Sequence, residues 1–156
     1  MSKSLSRVVH ALEQAGIDAR VLAMETETRT AEQAAAAAGC GLDQIVKSII
    51  FRGERTGGVT LFLTAGGNRV DADKAAAIAG EPLGRADATL VRERTGFAIG
   101  GVSPVGHPSA IPTFWDRRLS DFSVVYAAAG TPRHIFSVAP EALLRLTGAT
   151  VADFIM

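Results

Sequence analysis

Three consecutive stretches decide the fold: the apolar run Ile45-Val46-Lys47-Ser48-Ile49-Ile50-Phe51, the turn-rich segment Gly53 to Gly58, and the second apolar run Val59-Thr60-Leu61-Phe62-Leu63-Thr64. β-Branched and aromatic residues dominate both runs, and glycines among charged residues separate them, so the pattern predicts a hairpin with a longer loop. Outward from the hairpin, helices and strands interleave. Upstream, Val8, Val9, Leu12 and the break at Gly16 predict a helix over Leu5 to Ala15, and Ala19 to Met24 reads as a short strand. Thr30 is placed to cap a helix over Ala31 to Ala38 that Gly39 and Gly41 end, and Asp43 starts a turn into the hairpin.

Downstream, Ala65-Gly66-Gly67-Asn68 is a second glycine turn, followed by helices over Asp71 to Ala79 and Ala86 to Glu93. Ile111 to Trp115, Ser123 to Ala129 and His134 to Val138 read as strands, and Pro140 opens a final helix over Glu141 to Leu146. No strict βαβ alternation runs through this order, so the expected class is α+β with a mixed sheet. There is no linker, internal repeat or long low-complexity tract, and the expected organisation is one domain over residues 1–156.

Apolar residues make up 47% and charged residues 21% of the chain, which points to a globular protein. Sixteen Lys and Arg balance sixteen Asp and Glu, so any nucleic-acid contact is expected to be short, such as one chain end. No apolar stretch reaches the roughly 18 residues that span a bilayer. The first residues carry no apolar signal core, and the single Cys40 excludes an internal disulfide; both fit a cytoplasmic location.

Two features draw chemical attention. Lys47 starts a run that otherwise reads as buried, where an ammonium is costly unless paired or set at a mouth; it either binds an anionic group or snorkels from a strand end. The run Thr95-Gly96-Phe97-Ala98-Ile99-Gly100-Gly101-Val102-Ser103-Pro104-Val105-Gly106-His107 holds four glycines but interleaves them with apolar residues. Such a loop either presents backbone N–H groups to an oxyanion or is a tight connection between core elements. It has neither the Gly-Lys-Ser/Thr end of a phosphate loop nor dinucleotide-fold spacing. His107 and His134 could orient water or a substrate amine or be structural, and His10 reads as a surface residue. Cys40 has no recognisable base, Ser103 lacks the context of a nucleophile elbow, and no metal motif is visible. Phe114 and Trp115 read as core packing or as a stacking platform.

Taken together, Lys47-Ser48-Ile49-Ile50-Phe51, Thr64 to Asp71 with Lys74, Thr95-Gly96-Phe97, Gly100-Gly101-Val102-Ser103-Pro104 and the tail Ala128-Ala129-Gly130 with Val138, Pro140 and Leu143 resemble the YbaK family of prolyl-tRNA-synthetase-associated editing domains. The resemblance runs from about Ala31 to Asp153. It implies a mixed, curved, barrel-like sheet surrounded by helices, no cofactor, and trans-acting hydrolysis of amino acids wrongly esterified to tRNA. It implies that Lys47 contacts the terminal adenosine end, that Gly100 and Gly101 with Ser103 and Pro104 hold the aminoacyl carbonyl region, and that Phe97 and His134 belong to the substrate pocket. The implied partners are the 3′ acceptor end of an aminoacyl-tRNA and prolyl-tRNA synthetase, with no DNA and no membrane. The expected substrate is tRNA(Pro) carrying Cys, 2-aminobutyrate or Ala. Ser48 departs from the Lys-Asn pair of the alanine-specific branch, which lowers the alanine reading.

An aminoacyl ester is already activated, so its hydrolysis needs a placed water and oxyanion donors rather than a strong protein nucleophile. Two other classes fit the residues: a non-catalytic module that binds an acceptor end or a synthetase, and a hydrolase of small esters or thioesters.

Overall fold

A computed structural model describes residues 2–156. Five α-helices surround one eight-stranded mixed sheet. Helix α1 (Lys3–Gln14) precedes strand β1 (Arg20–Ala23), and helix α2 (Ala31–Ala38) leads through a 3-10 turn to β2 (Ile45–Gly53) and β3 (Val59–Ala65). Helix α3 (Ala72–Ala79), β4 (Leu83–Arg85) and α4 (Ala88–Thr95) follow, then β5 (Thr113–Trp115), β6 (Val125–Thr131), β7 (His134–Val138), α5 (Pro140–Thr147) and β8 (Thr150–Val151).

The sheet order is β1-β7-β6-β2-β3-β5-β8, with β4 also pairing β2. The hairpin forms as expected: β2 and β3 pair antiparallel from Val46↔Ala65 to Arg52↔Val59. Parallel β2–β6, β3–β5 and β5–β8 contacts make the sheet mixed. No helix among the described residues is long and apolar enough to cross a membrane.

Local chemistry explains the element ends. The Thr30 hydroxyl accepts the Gln33 N–H at 3.1 Å while the Gln33 side chain accepts the Thr30 N–H at 3.2 Å, a reciprocal cap that starts α2 where the sequence predicts. Helix α4 starts two residues later than expected because the Asp87 carboxylate accepts the Leu90 N–H at 2.8 Å, which makes Asp87 the cap.

The two faces of β2 go to different places. Val46 and Ile50 face the main core with Leu61, Leu63, Phe97, Trp115, Phe136 and Leu143. Ile45 faces Ala31 and Ala34 of α2, and Ile49 and Phe51 face Phe62 and Phe154. The alternation of a strand accounts for this division, and it puts Lys47 on the outer face between Ile45 and Ile49. Trp115 is fully buried and Phe114 stacks on Phe62 with centroids 5.5 Å apart, so both aromatics are packed among core residues.

Strands β2 and β6 pair only at Ile45↔Tyr126 and Val46↔Ala127, and then part. Strand β4 takes up the same edge of β2 only from Phe51 onward. The hydrogen-bond phase follows from the hairpin end, where Gly53 donates to Gly58 on the β3 side and Glu54 donates to Pro82 on the β4 side. Counting back by alternation, the N–H groups of Ser48 and Ile50 point to the stretch where no strand pairs.

Candidate active site

A cavity of about 450 Å³ opens where β2 and β6 part. Its floor is the outer face of the sheet, with Ile45, Lys47, Ile49, Tyr126, Ala128 and Ile135. One wall is the start of α2 from Thr28 to Ala34; the other runs from Ala86 and Val91 to Ile99, Gly100 and Val102. Two of the residues singled out from sequence, Lys47 and Gly100, therefore meet on one cavity although they are far apart in the chain.

Lys47 is half-buried, and its Nζ donates to the carbonyl of Asn68 at 2.5 Å. Burial pushes its pKa below the ordinary lysine value; the Glu32 carboxylate opposes this most, Arg69 adds to the lowering, and Asp116 and Asp43 oppose it. The glycine turn after β3 supplies that carbonyl, and carboxylates hold the turn. Buried Asp116 accepts the Ala65 N–H at 3.0 Å and the Asn68 side-chain amide at 2.9 Å through one oxygen, and the Arg118 N–H at 3.0 Å through the other. Asp43 accepts the Gly67 N–H at 2.8 Å. Gly66 has no room for a side chain, because a Cβ there would collide with the Leu42 carbonyl. Asp116 thus positions Lys47 through the turn.

The loop beyond α4 is built differently. Gly100 sits at φ +93°, a conformation that side chains rarely adopt, and Arg29 lies against it. Gly101 packs against the Thr131 backbone and donates its N–H to the Ala98 carbonyl at 3.0 Å. The N–H groups of Gly100 and Val102, the two loop residues after Ile99 that line the cavity, have no partner among the described residues.

The other residues chosen from sequence stand behind this loop rather than on the cavity. Ser103 is fully buried; its hydroxyl accepts the Val105 N–H at 3.2 Å and its carbonyl meets His107 Nε2 at 2.7 Å. Pro104 and His107 line a second cavity of about 300 Å³. Burial pushes the His107 pKa down, partly opposed by the Ser103 carbonyl. Phe97 is fully buried in the main core, under the Arg7 guanidinium at 5.0 Å and beside the His107 ring. His134 Nδ1 meets the Thr131 hydroxyl at 2.6 Å, so it braces the residue that backs Gly101. His10 is exposed, and half-buried Cys40 packs beside α2 with its thiol pKa pushed up by burial.

Sequence reasoning missed Asp116 and Glu32. Asp116 lies in the polar segment between two strands, and Glu32 lies inside the helix Ala31 to Ala38 with no pattern that sets it apart. The signal for Asp116 was its place directly after the apolar Thr113-Phe114-Trp115, where a carboxylate is costly unless it is hydrogen-bonded.

An ammonium and free backbone N–H groups on one partly apolar cavity can stabilise negative charge that develops on a bound carbonyl or phosphate oxygen. The model of the aminoacyl-tRNA editing domain matches residues 25–146, which include the whole of this cavity. The chain belongs to the aminoacyl-tRNA editing domain family. Within it, this editing domain is 34% identical over 123 residues to the protein YwhH of Bacillus subtilis, covering 79% of this chain and 78% of YwhH. It is 30% identical over 128 residues to the "putative Cys-tRNA(Pro)/Cys-tRNA(Cys) deacylase EbsC" of Enterococcus faecalis, covering 80% of this chain and 76% of EbsC. A crystal structure of a "putative trans-editing enzyme for prolyl tRNA synthetase" superposes with a TM-score of 0.92 at 48% identity, covering 100% of this chain and 99% of the other. The mixed sheet with surrounding helices is thus the fold of this editing domain and of its structural neighbours.

Proposed function

We propose that this chain, as one unit over residues 1–156, is a trans-acting deacylase that hydrolyses the ester of mischarged tRNA. The substrate is tRNA(Pro) carrying a small non-cognate amino acid: Cys, 2-aminobutyrate or Ala. The observation that carries the reading is the single cavity that joins Lys47 to the unengaged N–H groups of Gly100 and Val102. The names of EbsC and of the prolyl trans-editing neighbour support the same chemistry.

In this reading the 3′ end of the tRNA enters between α2 and the loop. Lys47 holds the ester end, and the loop N–H groups face the carbonyl oxygen as it becomes an oxyanion. Water forms the new bond to the carbonyl carbon, the bond from that carbon to the ribose oxygen breaks, and the ribose oxygen leaves with a proton. Gly101, Ser103, Pro104 and Phe97 fix the loop from behind, and His134 acts through Thr131. Pocket size selects the amino acid, and because each methylene gives only about 1–3 kcal/mol of discrimination, a dedicated hydrolytic site is needed. The partners are the acceptor end and prolyl-tRNA synthetase, and the setting is the cytoplasm.

The test is deacylation of tRNA(Pro) charged in turn with Ala, Cys, 2-aminobutyrate, Ser, Thr and Pro. The expected result is loss of a small non-cognate ester that slows about a hundredfold or more in Lys47→Ala, the scale of removing one oxyanion donor. Undiminished turnover in that variant would remove Lys47 from the mechanism. A stable complex with the acceptor end and no ester loss would make the chain a binding module.

A further inference from the structure

The cavity carries a charge arrangement that the ester chemistry leaves unused. Three charged side chains line it: Arg29, Glu32 and Lys47. Arg29 is engaged with Glu27 at 2.9 Å, and Lys47 is held by the Asn68 carbonyl. Glu32 is the one carboxylate on the lining, and it has no ion pair or side-chain hydrogen bond among the described residues. The neighbouring cap of α2 is made entirely by Thr30 and Gln33, so Glu32 is not needed there. Glu32, in the first turn of α2, and Lys47, on the sheet floor, line the same opening, and the carboxylate favours the charged form of the lysine.

A cavity lined by one ammonium and one unengaged carboxylate suits a ligand that carries an ammonium beside a polarised carbonyl. In an aminoacyl ester the α-ammonium and the ester carbonyl sit on adjacent carbons. The start of α2, which carries Glu32, lines the same cavity as Lys47 and the loop. We propose that Glu32 binds the α-ammonium of the esterified amino acid, so that this site acts on free aminoacyl esters and spares those whose amine is acylated. A blocked amine carries no charge, and burying the carboxylate against it leaves an uncompensated group. This inference rests on the deacylase reading, and it adds a chemical filter for the state of the amine to the pocket's filter for size.

The experiment compares the best-hydrolysed ester of the panel with its N-acetylated form, using wild type and Glu32→Gln. The exposed position makes this a mild substitution for folding. Wild type is expected to prefer the free amine by about tenfold or more, the scale of one charged hydrogen bond. Glu32→Gln should raise KM for the free ester, leave the acetylated ester unchanged and so collapse the preference. A merely structural first-turn acid would move both substrates together. Equal turnover of the two esters by wild type, or a preference that survives in Glu32→Gln, overturns the assignment. A second arm measures binding of an amide-linked 3′-alanylamino adenosine and its N-acetyl counterpart by calorimetry. Amine-dependent binding that needs Glu32, in the absence of any ester hydrolysis, would retain this subsite while the deacylase reading fails. Binding indifferent to the amine would remove the subsite.

Discussion

The two glycine-rich segments that flank the cavity look alike in sequence and behave oppositely in the fold. In the turn Gly66-Gly67-Asn68, side chains hold the backbone in place: Asp43 accepts the Gly67 N–H and Asp116 the Asn68 side-chain amide, while the Asn68 N–H reaches the Ala65 carbonyl at 2.9 Å. In the loop Gly100-Gly101-Val102, no side chain answers the backbone, and the N–H groups of Gly100 and Val102, both lining residues of the cavity, are left over among the described residues. A turn braced by two carboxylates is held firmly and can hold something else, here the Lys47 ammonium. A loop with donors to spare is ready for a ligand. Glycine is required in the first for lack of space and in the second for backbone conformation.

The largest expected effect comes from breaking the turn. Gly66→Ala drives a methyl into the Leu42 carbonyl and should cost about 3 kcal/mol of stability, read as a lowered denaturant midpoint. Next is Asp116→Asn, which turns one acceptor into a donor facing N–H groups and should cost about 2 kcal/mol. It also removes a charge that supports the protonated form of Lys47. In the proposed reaction Lys47 acts as the ammonium, so activity is expected to fall as pH rises through its pKa, which already lies below the ordinary lysine value. The alkaline limb of kcat/KM should therefore move to lower pH in Asp116→Asn; an unmoved limb would separate the turn from the chemistry. The smallest effect on stability is expected at Gly100→Ala, about 1 kcal/mol for a side chain at positive φ. Its loss should show in kcat more than in folding, and equal losses in both would erase the contrast between the two segments.

Local chemistry made much of this fold legible. The start of α2 is set by side chains three residues apart, and the strand His134–Val138 by its own composition, so both emerge from sequence to the residue. Strand β4 was invisible because Leu83-Gly84-Arg85 has no strand pattern of its own; it exists because the β2 edge at Phe51 to Gly53 recruits it. Strand β8 is two exposed residues that pair only with β5. The site divides in the same way. Lys47 and the glycine loop stood out as residue types in unusual company. Glu32 and Asp116 stand out only through tertiary placement, one by lining a cavity and the other by reaching a turn 48 residues away.

The parting of β2 from β6 has a consequence in time as well as in space. Strand β2 is paired on both edges at its two ends and on one edge in its middle, so the amides of Ser48 and Ile50 lack the shelter that Ile49 and Phe51 receive from β3. Protons on those two amides should be the first of the strand to be traded for deuterium, and a bound acceptor end would slow that trade. The opening in the sheet thus records, on the backbone itself, whether the cavity is filled.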